Sequence, residues 1–134
     1  MALIWGVAAL FPGVAYSADW LNVISWGFVI LGIFLILWAA TWFFRKKTTI
    51  EPHHTPTKLL VQGPFRFSRN PIYLGFVLIA AGSAIGRGNP LAFIAVAGLY
   101  YVLHTRFVLP EEKGLLAHLG DDAKEYVSKT RRWI

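Results

Sequence analysis

The run WLNVISWGFVILGIFLILWAATWFF, Trp20 to Phe44, holds about 25 residues without a charge and is closed by the cluster Arg45-Lys46-Lys47. At about 1.5 Å per residue, a helix of this length crosses a hydrocarbon layer of roughly 30 Å with some tilt. That reading decides the fold class: an all-α, multi-span transmembrane protein with a cytoplasmic loop and amphipathic helices toward the C-terminus. The composition agrees, with 56% apolar and 15% charged residues in a chain of 134, far from the soluble average. The aromatic residues, six Trp, ten Phe and five Tyr, collect where apolar runs meet polar ones, as interfacial belts require.

Upstream of Trp20, residues 2–16 are apolar apart from Pro12-Gly13, which kinks or shortens a helix. The stretch has no basic n-region, and a longer apolar run follows it, so it reads as a short first span rather than a signal peptide. Downstream, residues 48–70 contain Pro52, Pro56 and Pro64 and are too irregular for a helix. Leu59, Leu60, Val61 and Phe65 argue that this loop is packed. A third span is expected from Pro71 to about Ile85, then a turn at Gly86-Arg87-Gly88-Asn89-Pro90, and a fourth run from Leu91 to Leu109. Beyond Pro110, the residues Leu115, Leu116, Leu119 and Tyr126 fall roughly on one helical face, and Gly120 separates two short helices. The chain is thus one membrane domain of about four spans, with two N-terminal spans in 1–47 and a binding core in 48–134.

Charge sets the expected orientation. All of the 13 Lys and Arg except Arg87 lie in the two polar segments or at the helix ends beside them. By the positive-inside rule both termini are cytoplasmic, and segments 45–70 and 106–134 share one surface. This placement of the bases beside hydrocarbon accounts for the formal charge of +6 without nucleic acid as a partner. There is no cysteine, which excludes disulfides, thiolate metal sites and thiol nucleophiles. His53, His54, His104 and His118 do not fall at a metal-binding spacing, so no metal is expected.

The chemistry is expected at GPFRFSRNPIYLG, Gly63 to Gly75. Ser68 and Asn70 can cap, and Pro71 suits the first position of a helix, which places free backbone N–H groups beside Arg66 and Arg69. Such a site receives a carboxylate or phosphate. With Arg106, Glu111 and Glu112 at neighbouring helix ends, two signs of charge are available, and a zwitterion such as an amino-acid-bearing ligand fits them. Snorkelling arginines and dipole-complementing acids after Pro110 account equally for the same residues.

These residues also carry a resemblance. The chain resembles the integral membrane methyltransferases related to isoprenylcysteine carboxyl methyltransferase and phospholipid N-methyltransferase. Gly63 to Gly75 satisfies their Gly-Pro-(Tyr/Phe)-Arg-x-x-Arg-(His/Asn)-Pro-x-Tyr-x-Gly signature. Glu111, Glu112, Leu115, Gly120 and Tyr126 match a second one. The resemblance implies S-adenosylmethionine as methyl donor, S-adenosylhomocysteine as product, and a lipid or other lipophilic acceptor reached from the bilayer. It implies a cofactor pocket from Gly63, Arg66, Arg69, Asn70, Pro71, Tyr73, Gly75, Glu111 and Glu112, with Arg69 and Glu112 nearest the reaction. Two positions depart from the pattern: Asn70 stands where the best-known members carry histidine and cannot take up a proton, and Ala123 replaces a tyrosine. The alternatives are a non-catalytic assembly or transport subunit and an NADPH-dependent membrane reductase. The small size leaves room for a dimer that completes a lipid-facing pocket.

Overall fold

The computed structural model describes residues 2–10, 18–46 and 59–134, and among these the regular elements are all helices, with no strand. The helices are α1 (Ala2–Leu10), α2 (Asp19–Lys46), α3 (Pro71–Gly86), α4 (Ala92–Leu103) and α5 (Leu109–Lys129). A 3-10 turn covers Gly63–Arg66, and one π turn, His104–Val108, joins α4 to α5 without a break. Two stretches, Asp19–Arg45 and Ala92–Lys129, are long and apolar enough to cross a membrane, and Pro71–Gly86 is a shorter apolar helix. The nine residues of α1 reach only about 14 Å. The rest of the expected first span, and residues 47–58 of the loop with His53 and His54, lie outside the described residues.

Local chemistry explains the boundaries. Asp19 puts an acid in the first turn of α2, where it complements the helix dipole. Pro71 opens α3 at the position that needs no N–H donor. Past Gly86, Gly88 takes φ 59°, and the Asn89 side chain accepts the Leu91 N–H at 3.0 Å, an Asx turn that starts the next helix. Pro110, just past the π turn, has no N–H to give one turn back. The Leu109 N–H reaches to the His104 carbonyl, five residues away, and the helix widens there by one residue. In α5, Gly120 takes non-helical angles, φ 54° and ψ −124°, at the expected break.

The chain forms two compact units, one from residues up to Phe34 with Gly75–Tyr101, the other from Leu35–Leu74 with Val102–Ile134. In the first, Ile4, Ala80, Ala84, Ala92 and Val96 form a core of small side chains. There α2 and α3 approach through glycines: a Cβ on Gly32 would stand 2.7 Å from the Gly75 carbonyl oxygen, and one on Gly82 2.7 Å from that of Ser25. Helix α2 turns Trp20, Val23, Trp26 and Ile30 outward, all more than 60% exposed, which in water would be a large apolar patch. In the second unit Ala39, Phe65 and Tyr126 form the core, with Trp42, Phe43, Leu59, Leu60, Ile72 and Leu115 packed on it. The 59–70 segment is therefore packed as its leucines suggest, although Val61 is exposed.

Candidate functional site

Within the second unit, the 3-10 turn aims the residues that follow it. Gly63 has φ 61°, and a Cβ there would fall 2.1 Å from the Trp42 indole nitrogen, so only glycine fits against that ring. Pro64 and Phe65 are buried, and Phe65 meets the Phe43 ring edge-on, centroids 5.5 Å apart. The Tyr126 hydroxyl donates to the Phe65 carbonyl at 2.7 Å. Burial pushes the Tyr126 phenol above its ordinary pKa, so it stays a donor. Arg66 and Phe67 are left exposed while Ser68 turns inward. Its hydroxyl accepts the Asn70 N–H at 3.1 Å, closing a small turn directly before Pro71.

Arg69 stands on this frame, its side chain only 11% exposed, with Nη1 3.1 Å from Glu112 Oε2. Arg132 takes the same carboxylate with a two-pronged grip: Nε donates to Oε2 at 2.8 Å and Nη2 to Oε1 at 2.9 Å. These hydrogen bonds, with the Arg69 charge beside them, outweigh burial and hold the Glu112 carboxyl below its usual range. Two guanidiniums thus face the one Glu112 carboxylate. Arg69 Nε and Nη1 are buried without a hydrogen-bond acceptor, since the contact to Glu112 is not aligned as one. Buried N–H groups of a cation normally find a partner, and an anion is what completes them.

Successive helical residues point about 100° apart, and Glu111 and Glu112 accordingly serve different partners. The Tyr73 hydroxyl donates to Glu111 Oε1 at 2.6 Å, and the Tyr73 ring lies 5.9 Å from that of Phe107 on the π turn. A strap after α5 ties the parts together. The Arg69 N–H donates to the Arg131 carbonyl at 3.0 Å, and Asn70 Nδ2 to the Arg132 carbonyl at 2.9 Å. Trp133 Nε1 donates to His104 Nδ1 at 3.4 Å.

Of the residues expected from the sequence, Arg69, Asn70, Tyr73, Glu111 and Glu112 come together, and Pro71 is buried at the start of α3. Arg66 points into a separate open groove of about 510 Å³ that it shares with Asp122, Glu125 and Lys129. Arg106 is exposed. Gly63 serves the approach to Trp42, and Gly75, in the other unit, the approach to Gly32. Sequence reasoning passed over Arg132 and Trp133. The signal available was a pair of bases followed by an aromatic, which at a membrane surface reads as an anchor.

The profile of a family described as phospholipid methyltransferase matches residues 20–122. Two rice proteins, from the indica and japonica subspecies of Oryza sativa, are each named probable protein-S-isoprenylcysteine O-methyltransferase. Each is 31% identical over 72 residues, 54% of this chain and 38% of its own. An uncharacterized protein of Haemophilus influenzae is 32% identical over 63 residues, 47% of this chain and 100% of that protein. The matched stretch thus spans little more than a third of the length of the rice relatives.

Proposed function

The chain belongs to the phospholipid methyltransferase family, and on that premise we propose that it transfers a methyl group from S-adenosylmethionine to a lipophilic, membrane-associated acceptor at the cytoplasmic face. The observation that carries the reading is Arg69, a buried guanidinium with two nitrogens, Nε and Nη1, lacking an acceptor. It suits the donor's carboxylate, so the residues present fit the cofactor. Glu111, which accepts from the Tyr73 hydroxyl beside this cluster, takes the ammonium side. Glu112 orients Arg69 from within rather than meeting the ligand. When bound, S-adenosylmethionine supplies a methyl group activated on a sulfonium.

For such a displacement the chain's contribution is positioning, which supplies much of the acceleration in reactions of this kind. A carboxylate acceptor needs no base, whereas an ammonium acceptor must first lose a proton. Asn70 cannot take that proton, and its Nδ2 already donates to the strap, so its role is to hold the backbone. Orientation follows from charge: every Lys and Arg of the described residues except Arg87 belongs to the second unit, which supports a multi-pass chain with that unit's polar end and both termini on the cytoplasmic side.

Thermal unfolding in detergent tests the proposal. S-adenosylhomocysteine is expected to raise the midpoint by mass action, and Arg69→Lys, which keeps charge but loses the planar fork, to abolish the shift. A shift with NADPH alone would overturn the reading.

A further inference from the structure

We infer that Arg132 is a positioning residue whose task is to keep the Glu112 carboxylate from turning onto the Arg69 Nε and Nη1 donors, so that these remain for the anion of a ligand. The inference rests on the methyl-donor reading and names the residue on which its carboxylate contact depends.

The geometry sets up a competition for one carboxylate. Glu112 Oε2 lies 3.1 Å from Arg69 Nη1, an ion-pair distance, but Nη1 is not aligned on it as a hydrogen-bond donor. Both oxygens of that carboxylate are already engaged by Arg132, at 2.8 and 2.9 Å. An arginine fork gripping both oxygens fixes the plane of the carboxylate as well as its position. Released from that grip, Glu112 would rotate onto Arg69 and supply the acceptors its N–H groups lack, since an unmet buried donor is costly. The site would then be internally neutral and closed to an anion.

Two further bonds hold Arg132 in place for this. Its carbonyl accepts from Asn70 Nδ2 at 2.9 Å and from the Ser68 hydroxyl at 3.5 Å. The preceding carbonyl, of Arg131, takes the Arg69 N–H at 3.0 Å. Backbone bonds on Arg69 and Asn70 and a side-chain grip on Glu112 thus come from two consecutive residues. The strap sets the relative orientation of the cation and the carboxylate, which already stand 3.1 Å apart.

The test compares S-adenosylhomocysteine with its decarboxylated analogue, S-adenosyl-3-thiopropylamine, by calorimetry on the detergent-purified full chain. Arg132→Ala is expected to weaken S-adenosylhomocysteine roughly tenfold or more, the scale of a lost charged hydrogen bond, and to leave the decarboxylated analogue nearly unchanged. Adding Glu112→Gln to Arg132→Ala removes the competing carboxylate and is expected to restore most of the affinity. Arg132→Lys, which keeps the charge without the fork, repeats the comparison if the alanine variant does not fold. Equal losses for both ligands, or no rescue by Glu112→Gln, would show a merely structural role and overturn the inference. Binding undiminished in Arg132→Ala would overturn it alone, whereas no binding to the unaltered protein would overturn the methyl-donor reading and the positioning role with it.

Discussion

The first unit brings helices together by having almost nothing between them, whereas the second adds a cluster of full charges to an aromatic and aliphatic core. Between α2 and α3, Gly32 faces the Gly75 carbonyl and Gly82 that of Ser25, and small buried alanines complete the core. Close approach of this kind is how helices associate where lipid removes the hydrophobic advantage of large side chains. In the second unit the contacts of Arg69, Glu112 and Arg132 carry full charges, and Tyr73 meets Glu111. The comparison separates a unit whose stability rests on volume alone from one whose stability rests on protonation and partner choice as well.

The largest expected effect falls on the unit built by volume. A Cβ on Gly82 would lie 2.7 Å from the Ser25 oxygen, 2.9 Å from Val29 Cγ2 and 3.0 Å from Phe28 Cβ. Replacing a helical glycine by alanine gains about 0.5–1 kcal/mol of backbone propensity, but overpacking against backbone costs about 1–3 kcal/mol. Gly82→Ala is therefore expected to lower stability by about 1–2 kcal/mol, and Gly82→Val by about 3 kcal/mol or more. Gly27, in the facing helix α2, has nothing within 4 Å of its missing Cβ, and Gly27→Ala is expected to be neutral or slightly stabilising in the same unfolding measurement. Equal behaviour at the two glycines would break the account of the first unit.

Protonation should distinguish the second unit. Because Glu112 has a lowered pKa in the folded protein, its contribution is present above the ordinary carboxylate value, about 4.3, and is lost as pH falls through the depressed one. The first unit's only described carboxylate is the exposed Asp19. Glu112→Gln is expected to cost about 1–2 kcal/mol at neutral pH, the range for charged hydrogen bonds discounted for partial exposure. It is also expected to flatten the acid limb of stability measured by denaturant titration between pH 6 and 3. An unchanged acid limb would assign that dependence elsewhere.

How much of this the sequence discloses follows from distance along the chain. The uncharged run to Phe44, the proline at position 71 and the glycine at 120 are local signals, and each marks a boundary or break in the structure. The cluster of Arg69 with Glu112 was legible because both lie in linked motifs at the ends of apolar runs. The grip of Arg132 on Glu112 closes over 20 residues, and the bond from Ser25 to Gly82 over 57; periodicity does not encode which distant partner a side chain meets. The π turn was also hidden. Pro110 announces a lost donor, but whether the helix ends or widens depends on what packs around it.

The smallest expected effects come from a matched pair of hydrogen bonds, one in each unit. The Tyr126 hydroxyl donates to the Phe65 carbonyl at 2.7 Å, and the Ser25 hydroxyl to the Gly82 carbonyl at 2.8 Å. Phe65 lies in a 3-10 turn, where Tyr126 supplies the donor for its carbonyl, so Tyr126→Phe leaves a buried acceptor unmet at a cost of about 1–1.5 kcal/mol. The Gly82 carbonyl lies inside α3, where the helical ladder offers it an N–H four residues on, and hydrogen bonds between membrane helices average about 0.6 kcal/mol. Ser25→Ala is thus expected to cost about half as much as Tyr126→Phe under one set of detergent conditions. The order matters more than either value, because the same deletion is made in both places and only the surroundings differ. A larger loss at Ser25 would mean that the first unit relies on polar contacts as much as the second, and the contrast between them would have to be abandoned.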